Sequence, residues 1–276
     1  MRVLGFITKR PIILSLVLGL IVSSLSYFFQ PLFPYHSIAH RGASAYAPEN
    51  TMASFQKAVA LGFDFIELDI RMSKDQELIV IHDADVKRTT NGEGFVRDLT
   101  VDELKQLDAG SWFHPNYSSE KIPLLSEVLD TFGGKINLLI EMKFPENETN
   151  MTEKLAHTLY EYFEQGLDPS TVKVQSFHIF EIKKFHQLCP EVSAGILLSK
   201  PLDMFHLASY RSFASFLAVH YRLLSKSLVN QALFFDYEIY TWTIQDQPLF
   251  TVMQKLGVHG IISNQEKKKT SKFTVD

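Results

Sequence analysis

Short apolar runs rich in Ile, Val, Leu and Phe recur along the chain, separated by stretches whose apolar residues return every three or four positions. That alternation is the signature of a parallel sheet with crossover helices. The strand candidates are SIAH (37–40), FIELDI (65–70), LIVIHD (78–83), INLLIEM (136–142), VKVQSF (172–177), SAGILL (193–198), FLAVHY (216–221), IYTWTI (239–244) and GIIS (260–263). Between them, Met52, Phe55 and Val59 share one helical face behind Asn50 and Thr51, both acceptable N-caps. Thr100 and Glu103 form a capping box for a helix carrying Leu104 and Leu107. Leu155, Leu159, Tyr162 and Phe163 make a further stripe, and Leu224, Leu228 and Ala232 another.

Nine strand candidates is one too many for a closed (β/α)8 barrel. The link RMSKDQE between Ile70 and Leu78 is also too short for a parallel crossover, which needs about a dozen residues. Making 78–83 a hairpin return from the second strand leaves eight parallel strands. It also brings His82 back beside Glu67 and Asp69. Residues 84–135 read as loop and short helix, an elaboration over the barrel mouth. The barrel domain spans 36–265, and 266–276, with Lys267–Lys269, is a polar C-terminal tail.

The first 35 residues differ in kind. Ile12–Phe29 reads IILSLVLGLIVSSLSYFF, and no charge occurs from Pro11 to Tyr35. That run is close to the ~20 apolar residues that cross a bilayer. Arg2, Lys9 and Arg10 precede it, so the positive-inside rule leaves them in the cytoplasm and exports everything after Gln30. The other reading is a cleaved secretory signal ending near Ser24-x-Ser26. The length of the apolar run favours a retained single-pass membrane anchor with the barrel on the extracytoplasmic side.

At 276 residues and 46% apolar, the chain has material for one large barrel core. Its net charge of −4 would repel a polyanion, which argues against nucleic acid as a partner. The one cysteine, Cys189, excludes an intramolecular disulfide and a cysteine-rich zinc site. No G-x-S-x-G elbow, Walker loop or dinucleotide fingerprint occurs.

The chemistry gathers in His40–Asp83, where ionisable residues end or flank short apolar runs. Glu67 and Asp69 are two apart on a strand and therefore share a face. If that face is the barrel interior, two carboxylates meet in a confined space, and either one is protonated or a cation sits between them. Glu141, near the end of 136–142, supplies a third. Three oxygen donors favour one hard divalent cation, Ca2+ or Mg2+, over zinc. The alternative is an edge strand on which Glu67 and Asp69 face solvent. His40 and His82 each end a strand and suit a general base and general acid. Arg41 and Lys143 suit a phosphate, Gly42 a close backbone approach by a ligand, and Trp242 the lining of a pocket.

Assembled, these segments resemble the glycerophosphodiester phosphodiesterase family. The match runs through HRG (40–42), PENT (48–51), ELD (67–69), HD (82–83), DLTVDELKQLDAGSWF (98–113) and IPLLSEVL (122–129). It continues through IEMK (140–143), QSF (175–177), YTWTI (240–244) and GVHGIIS (257–263), covering roughly 36–265. The resemblance implies a TIM-like (β/α)8 barrel, here behind one N-terminal transmembrane helix. It implies metal-dependent hydrolysis of glycerophosphodiesters to sn-glycerol 3-phosphate and an alcohol. It also implies Glu67, Asp69 and Glu141 as metal ligands and His40 and His82 as the acid–base pair. Arg41 and Lys143 match phosphate contacts, and Glu49 a polar residue at the edge of the site. In such enzymes the glycerol 2-hydroxyl attacks phosphorus, giving a cyclic phosphate that water opens. His178, His259 and the pair Asn264-Gln265 depart from the family pattern, and they bear on substrate fit. Two alternatives stand beside this reading: a lysophospholipase D acting on membrane lysophospholipids, and a silent barrel that binds glycerophosphodiesters. The complete set of polar residues distinguishes an enzyme from the silent form.

Overall fold

A computed structural model describes residues 34–143, 148 and 150–266. The expected anchor and most of the polar tail lie outside the described residues. Among the described residues, no helix is long and apolar enough to cross a membrane.

Eight parallel strands close on themselves: β1 (His36–Ala39), β2 (Phe65–Met72), β4 (Asn137–Met142), β5 (Val172–Ser176), β6 (Ser193–Leu198), β7 (Phe216–His220), β8 (Glu238–Ile244) and β9 (Gly260–Ser263). Pairing of β1 with both β9 and β2 completes the ring. The ninth strand, β3 (Leu78–Val80), is antiparallel to the end of β2, with Ile70 opposite Val80. The hairpin return is therefore real, and it lies beyond the point where β1 stops pairing with β2.

Alternation along each strand separates two cores. Ile66, Leu68, Ile70, Leu138 and Ile140 face outward, where the main core packs the sheet against its helices. Ile38, Phe65, Leu139, Leu197, Phe216, Ala218, Tyr240 and Ile262 face inward and fill the barrel. Aromatic rings supply much of that filling, so the neighbouring inward positions must be small. A Cβ on Gly195 would stand 2.2 Å from the Phe216 ring, and one on Gly260 2.6 Å from Tyr240.

The helices follow their caps. In α1 (Met52–Leu61), Thr51 accepts from the Ser54 amide, and Gly62 ends the helix at φ 74°. The buried face of α1 is Ser54, Phe55 and Ala58; Val59, expected on that face, is exposed. The capping box of Thr100 and Glu103 opens α2 (Val101–Gln106) and buries Leu104. Val86, Val96, Leu104, Ala109 and Ile122 pack on Ile79 and Ile81 as a small separate core. The insertion closes there, short of residue 135, because α3 (Leu125–Phe132) buries Leu125, Val128, Leu129 and Phe132 in the main core. The remaining α-helices among the described residues are α4 (Met151–Glu164), α5 (Ile179–Leu188), α6 (Met204–Tyr210), α7 (Lys226–Phe234) and α8 (Gln247–Leu256).

Gly42 has a different task from the one expected. A Cβ there would lie 2.3 Å from Ser54 Oγ and 2.7 Å from the Ser54 backbone, at φ +78°. The close approach is to α1, not to a ligand. Its amide also donates toward Glu67 O at 3.1 Å, so the turn after β1 is fastened to the strand bearing the acidic residues. Gly42→Ala is expected to cost about 2–4 kcal/mol, combining left-handed strain with overpacking. Urea unfolding of the two proteins checks it.

Candidate active site

Glu67 and Asp69 follow Phe65 on the inward face of β2, and Glu141 follows Leu139 on the inward face of β4. The parity of the strands thus decides between barrel interior and exposed edge. Asp69 and Glu141 are register partners, and all three carboxylates are buried. One oxygen from each lies within 4.8 Å of the others. Among the described residues this is the one such group of His, Cys, Asp and Glu side chains.

Two fixed cations flank the acids. Lys143 Nζ donates to Glu141 Oε1 at 2.6 Å and lies 3.7 Å from Asp69 Oδ1. Arg41, at φ 57°, donates its backbone N–H to Glu67 Oε2 at 2.8 Å and its Nη1 to Glu49 Oε1 at 2.8 Å. Its Nε is 3.3 Å from Asp69 Oδ2. Asn50 donates to the same Asp69 oxygen at 2.9 Å. The acids therefore titrate apart. Burial raises the Glu67 carboxyl well above its usual range, and the charges of Asp69 and Glu141 add to the effect. Burial lifts Glu141 to about 7 even against Lys143. Burial would also lift Asp69, but Arg41, Lys143 and His82 outweigh it and hold that carboxyl at about 2. A hard divalent ion fits this donor set, since it would let all three carboxylates ionise together.

The histidines close the site from opposite sides. His40 follows β1, and its Nδ1 is 2.7 Å from Asn264 Oδ1, just after β9. An amide oxygen can only accept, so Nδ1 carries the proton and Nε2 is left with its lone pair. Burial and the adjacent Arg41 pull the imidazole down to about 4, so it is neutral at physiological pH. His82 follows β3, where Ile81 N–H donates to Asp69 O at 3.0 Å and sets it beside the acids. Its Nδ1 is 2.6 Å from Asp83 Oδ1, and its Nε2 3.1 Å from Lys143 Nζ. Burial also lowers its pKa, with Asp69 and Asp83 pulling the other way.

Between these groups lies a cavity of ≈ 260 Å³. His40, Arg41, Glu67, His82, Glu141 and Lys143 form its polar side; Phe177, Leu197, Trp242 and Ile262 form an apolar one. Trp242 packs edge-on against Phe177 and donates its indole N–H to Ala218 O at 2.8 Å. Glu49 stands behind Arg41 rather than in the lining. Gln175, which residue reading passed over, is buried in register with Glu141 and lines the cavity, and its Oε1 has no hydrogen-bond partner. Its position two residues after the inward Lys173 would have shown it. Asn50, Asn264 and Phe177 were also missed as site residues. The departures from the family pattern stand at different places in the fold. His259 accepts the Ile239 N–H at 3.0 Å, on the far face of the barrel. His178 precedes α5 as its N-cap residue. Asn264 touches His40.

The profile of the glycerophosphoryl diester phosphodiesterase family matches residues 40–268. A glycerophosphodiester phosphodiesterase of Bacillus subtilis is 36% identical over 242 residues, which is 83% of each chain. One from Caldanaerobacter subterraneus is 37% identical over 235 residues, 82% of this chain and 93% of the relative. Among solved structures, an Oleispira antarctica phosphodiesterase in complex with the product sn-glycerol-3-phosphate superposes with a TM-score of 0.74 at 30% identity. The match covers 88% of this chain and 96% of that one. The glycerophosphodiester phosphodiesterase of Agrobacterium tumefaciens gives 0.71 at 26% identity, covering 84% and 97%. The chain belongs to the glycerophosphoryl diester phosphodiesterase family and is an enzyme of that class.

Proposed function

We propose that this enzyme hydrolyses small glycerophosphodiesters to sn-glycerol 3-phosphate and an alcohol with one divalent cation, Ca2+ or Mg2+, held by Glu67, Asp69 and Glu141. The observation that carries the reading is the convergence of three buried carboxylates with two histidines whose partners differ. A bound divalent ion would supply charge to the phosphoryl oxygens and orient the attacking hydroxyl. Arg41 and Lys143 take the remaining phosphate charge. His40, neutral and with Nε2 unprotonated, is the general base that removes the proton of the attacking hydroxyl. His82, whose Nδ1–H is held by Asp83, is the general acid in its imidazolium form: Nε2 takes up a proton from solvent before turnover and passes it to the leaving alkoxide. An aspartate behind an imidazole stabilises the imidazolium more than an amide does.

The cavity favours deacylated diesters over lysophospholipids. Nothing from the 84–124 insertion lines it, and ≈ 260 Å³ is below the usual size of drug-sized sites. A retained anchor would join at Tyr35–His36, the start of β1. That end of β1 is on the face opposite the mouth. The apolar run at 12–29 and the preceding basic residues support an enzyme exported on a single N-terminal span.

Release of glycerol 3-phosphate by the full chain tests the reading. Chelation, and separately Glu67→Gln, is expected to abolish turnover, with divalent ion restoring only the wild type. Activity that persists through both removes the metal. His40→Ala and His82→Ala are each expected to lose about 10²- to 10⁴-fold in kcat. A pH profile tests the division of labour. A base held near 4 is deprotonated at all higher pH, so the acid limb of kcat/KM falls as pH drops toward 4. Asn264→Asp places a carboxylate on Nδ1, favours the imidazolium and should move that limb to higher pH. A limb that does not move argues against His40 as the base.

A further inference from the structure

The two sides of the site are joined by a residue with no role so far. Arg88 lies in the insertion after β3 and spans both groups. Its Nη1 and Nη2 donate to Glu49 Oε2 and Oε1 at 2.9 and 2.7 Å, a bidentate fork. Its Nε donates to Asp83 Oδ2 at 2.5 Å. Each acceptor in turn grips a residue of the cavity: Glu49 Oε1 accepts from Arg41, and Asp83 Oδ1 from His82. One planar guanidinium therefore sets the distance between the phosphate-binding arginine and the acid histidine, from behind both.

We propose that Arg88 is a positioning residue, a clamp that holds Arg41 and His82 in one geometry through Glu49 and Asp83. The clamp rests on the roles proposed above for those two residues. Lysine cannot replace it, because the site uses three donors of one rigid plane rather than a point charge. A clamp placed in the insertion also explains what the insertion contributes to the site, since none of its residues lines the cavity. Arg88 touches neither the three carboxylates nor the cavity. With a side chain 43% exposed, it is not a core residue whose loss would unfold the barrel.

The two arms of the clamp predict separable kinetics in the full-length enzyme with saturating divalent ion. Arg88→Ala is expected to lower kcat and raise KM for glycerophosphocholine, with kcat/KM falling about 10- to 100-fold. Asp83→Asn should lower kcat at least as much as Arg88→Ala does, since it also removes the carboxylate behind His82, and Glu49→Gln should reproduce the KM part. Arg88→Ala added to Asp83→Asn should lower kcat little further, since both cut the same arm. Arg88→Lys keeps the charge and should recover less than half of the loss. Circular dichroism and melting temperature are expected to stay near wild type in every variant. Wild-type kinetics in Arg88→Ala, additive kcat losses in the double variant, or full rescue by lysine would each overturn the clamp. His82→Ala separates this from the parent reading: if it is fully active the acid assignment fails, and if it is inactive while Arg88→Ala is not, the clamp alone fails.

Discussion

The constraint on which the rest of the structure depends is the confinement of three carboxylates in the mouth of the barrel. At separations within 4.8 Å, each pair of ionised oxygens repels by about 3 kcal/mol or more at an effective dielectric near 20. Arg41 and Lys143 are not enough to relieve this. Three acids against two cations leave one negative charge, and burial expresses it as the raised pKa values of Glu67 and Glu141. A divalent ion reverses the sign of that remainder. The pocket would then carry one positive charge, matching the single negative charge of a phosphodiester. Much of the surrounding backbone serves the same end: the left-handed Arg41, Gly42 pressed on α1, and the Arg41 and Gly42 amides turned onto Glu67.

The barrel makes such a cluster affordable by separating stability from chemistry. Outward residues of the strands pack on the helices, and the inward aromatic layer beneath the site, with Phe65, Phe216 and Tyr240, keeps the barrel closed below it. Phe216 and Tyr240 stack at 4.9 Å between centroids, and Lys173 lies over both rings while paired with Glu238 at 2.9 Å. The floor is thus a neutral plug, and the unbalanced charge is confined to the opposite end, where the strand ends open toward the cavity.

Much of this was legible because strand periodicity and chemistry point to the same places. The short link after Ile70 required an antiparallel return, and that return sets His82 beside Asp69. What was not legible follows from the limits of periodicity. Val59 satisfies a helical stripe but sits on the exposed side of a helix that buries Ser54, Phe55 and Ala58. The parity of Glu67 could not be fixed from its own strand, because all eight residues of β2 are buried, on one face by helices and on the other by the barrel interior. Asn264 was obscured for another reason: a single amide has no spacing signature, and only closure of the ring brings β9 against β1.

That closure also makes the two histidines unequal. Both follow strands and both lose basicity on burial, so by type and position they are interchangeable. Their second nitrogens are not. His40 meets the amide of Asn264, just after β9, and His82 meets the carboxylate of its own neighbour, itself held at about 2 because Arg88 and His82 outweigh its burial. An imidazole backed by a neutral amide gains only a stronger hydrogen bond on protonation, while one backed by a fixed carboxylate gains an ion pair. A reaction that takes a proton on one side of phosphorus and returns one on the other needs this inequality. Here it arises from the topology, which pairs one histidine with a remote strand and the other with an adjacent residue.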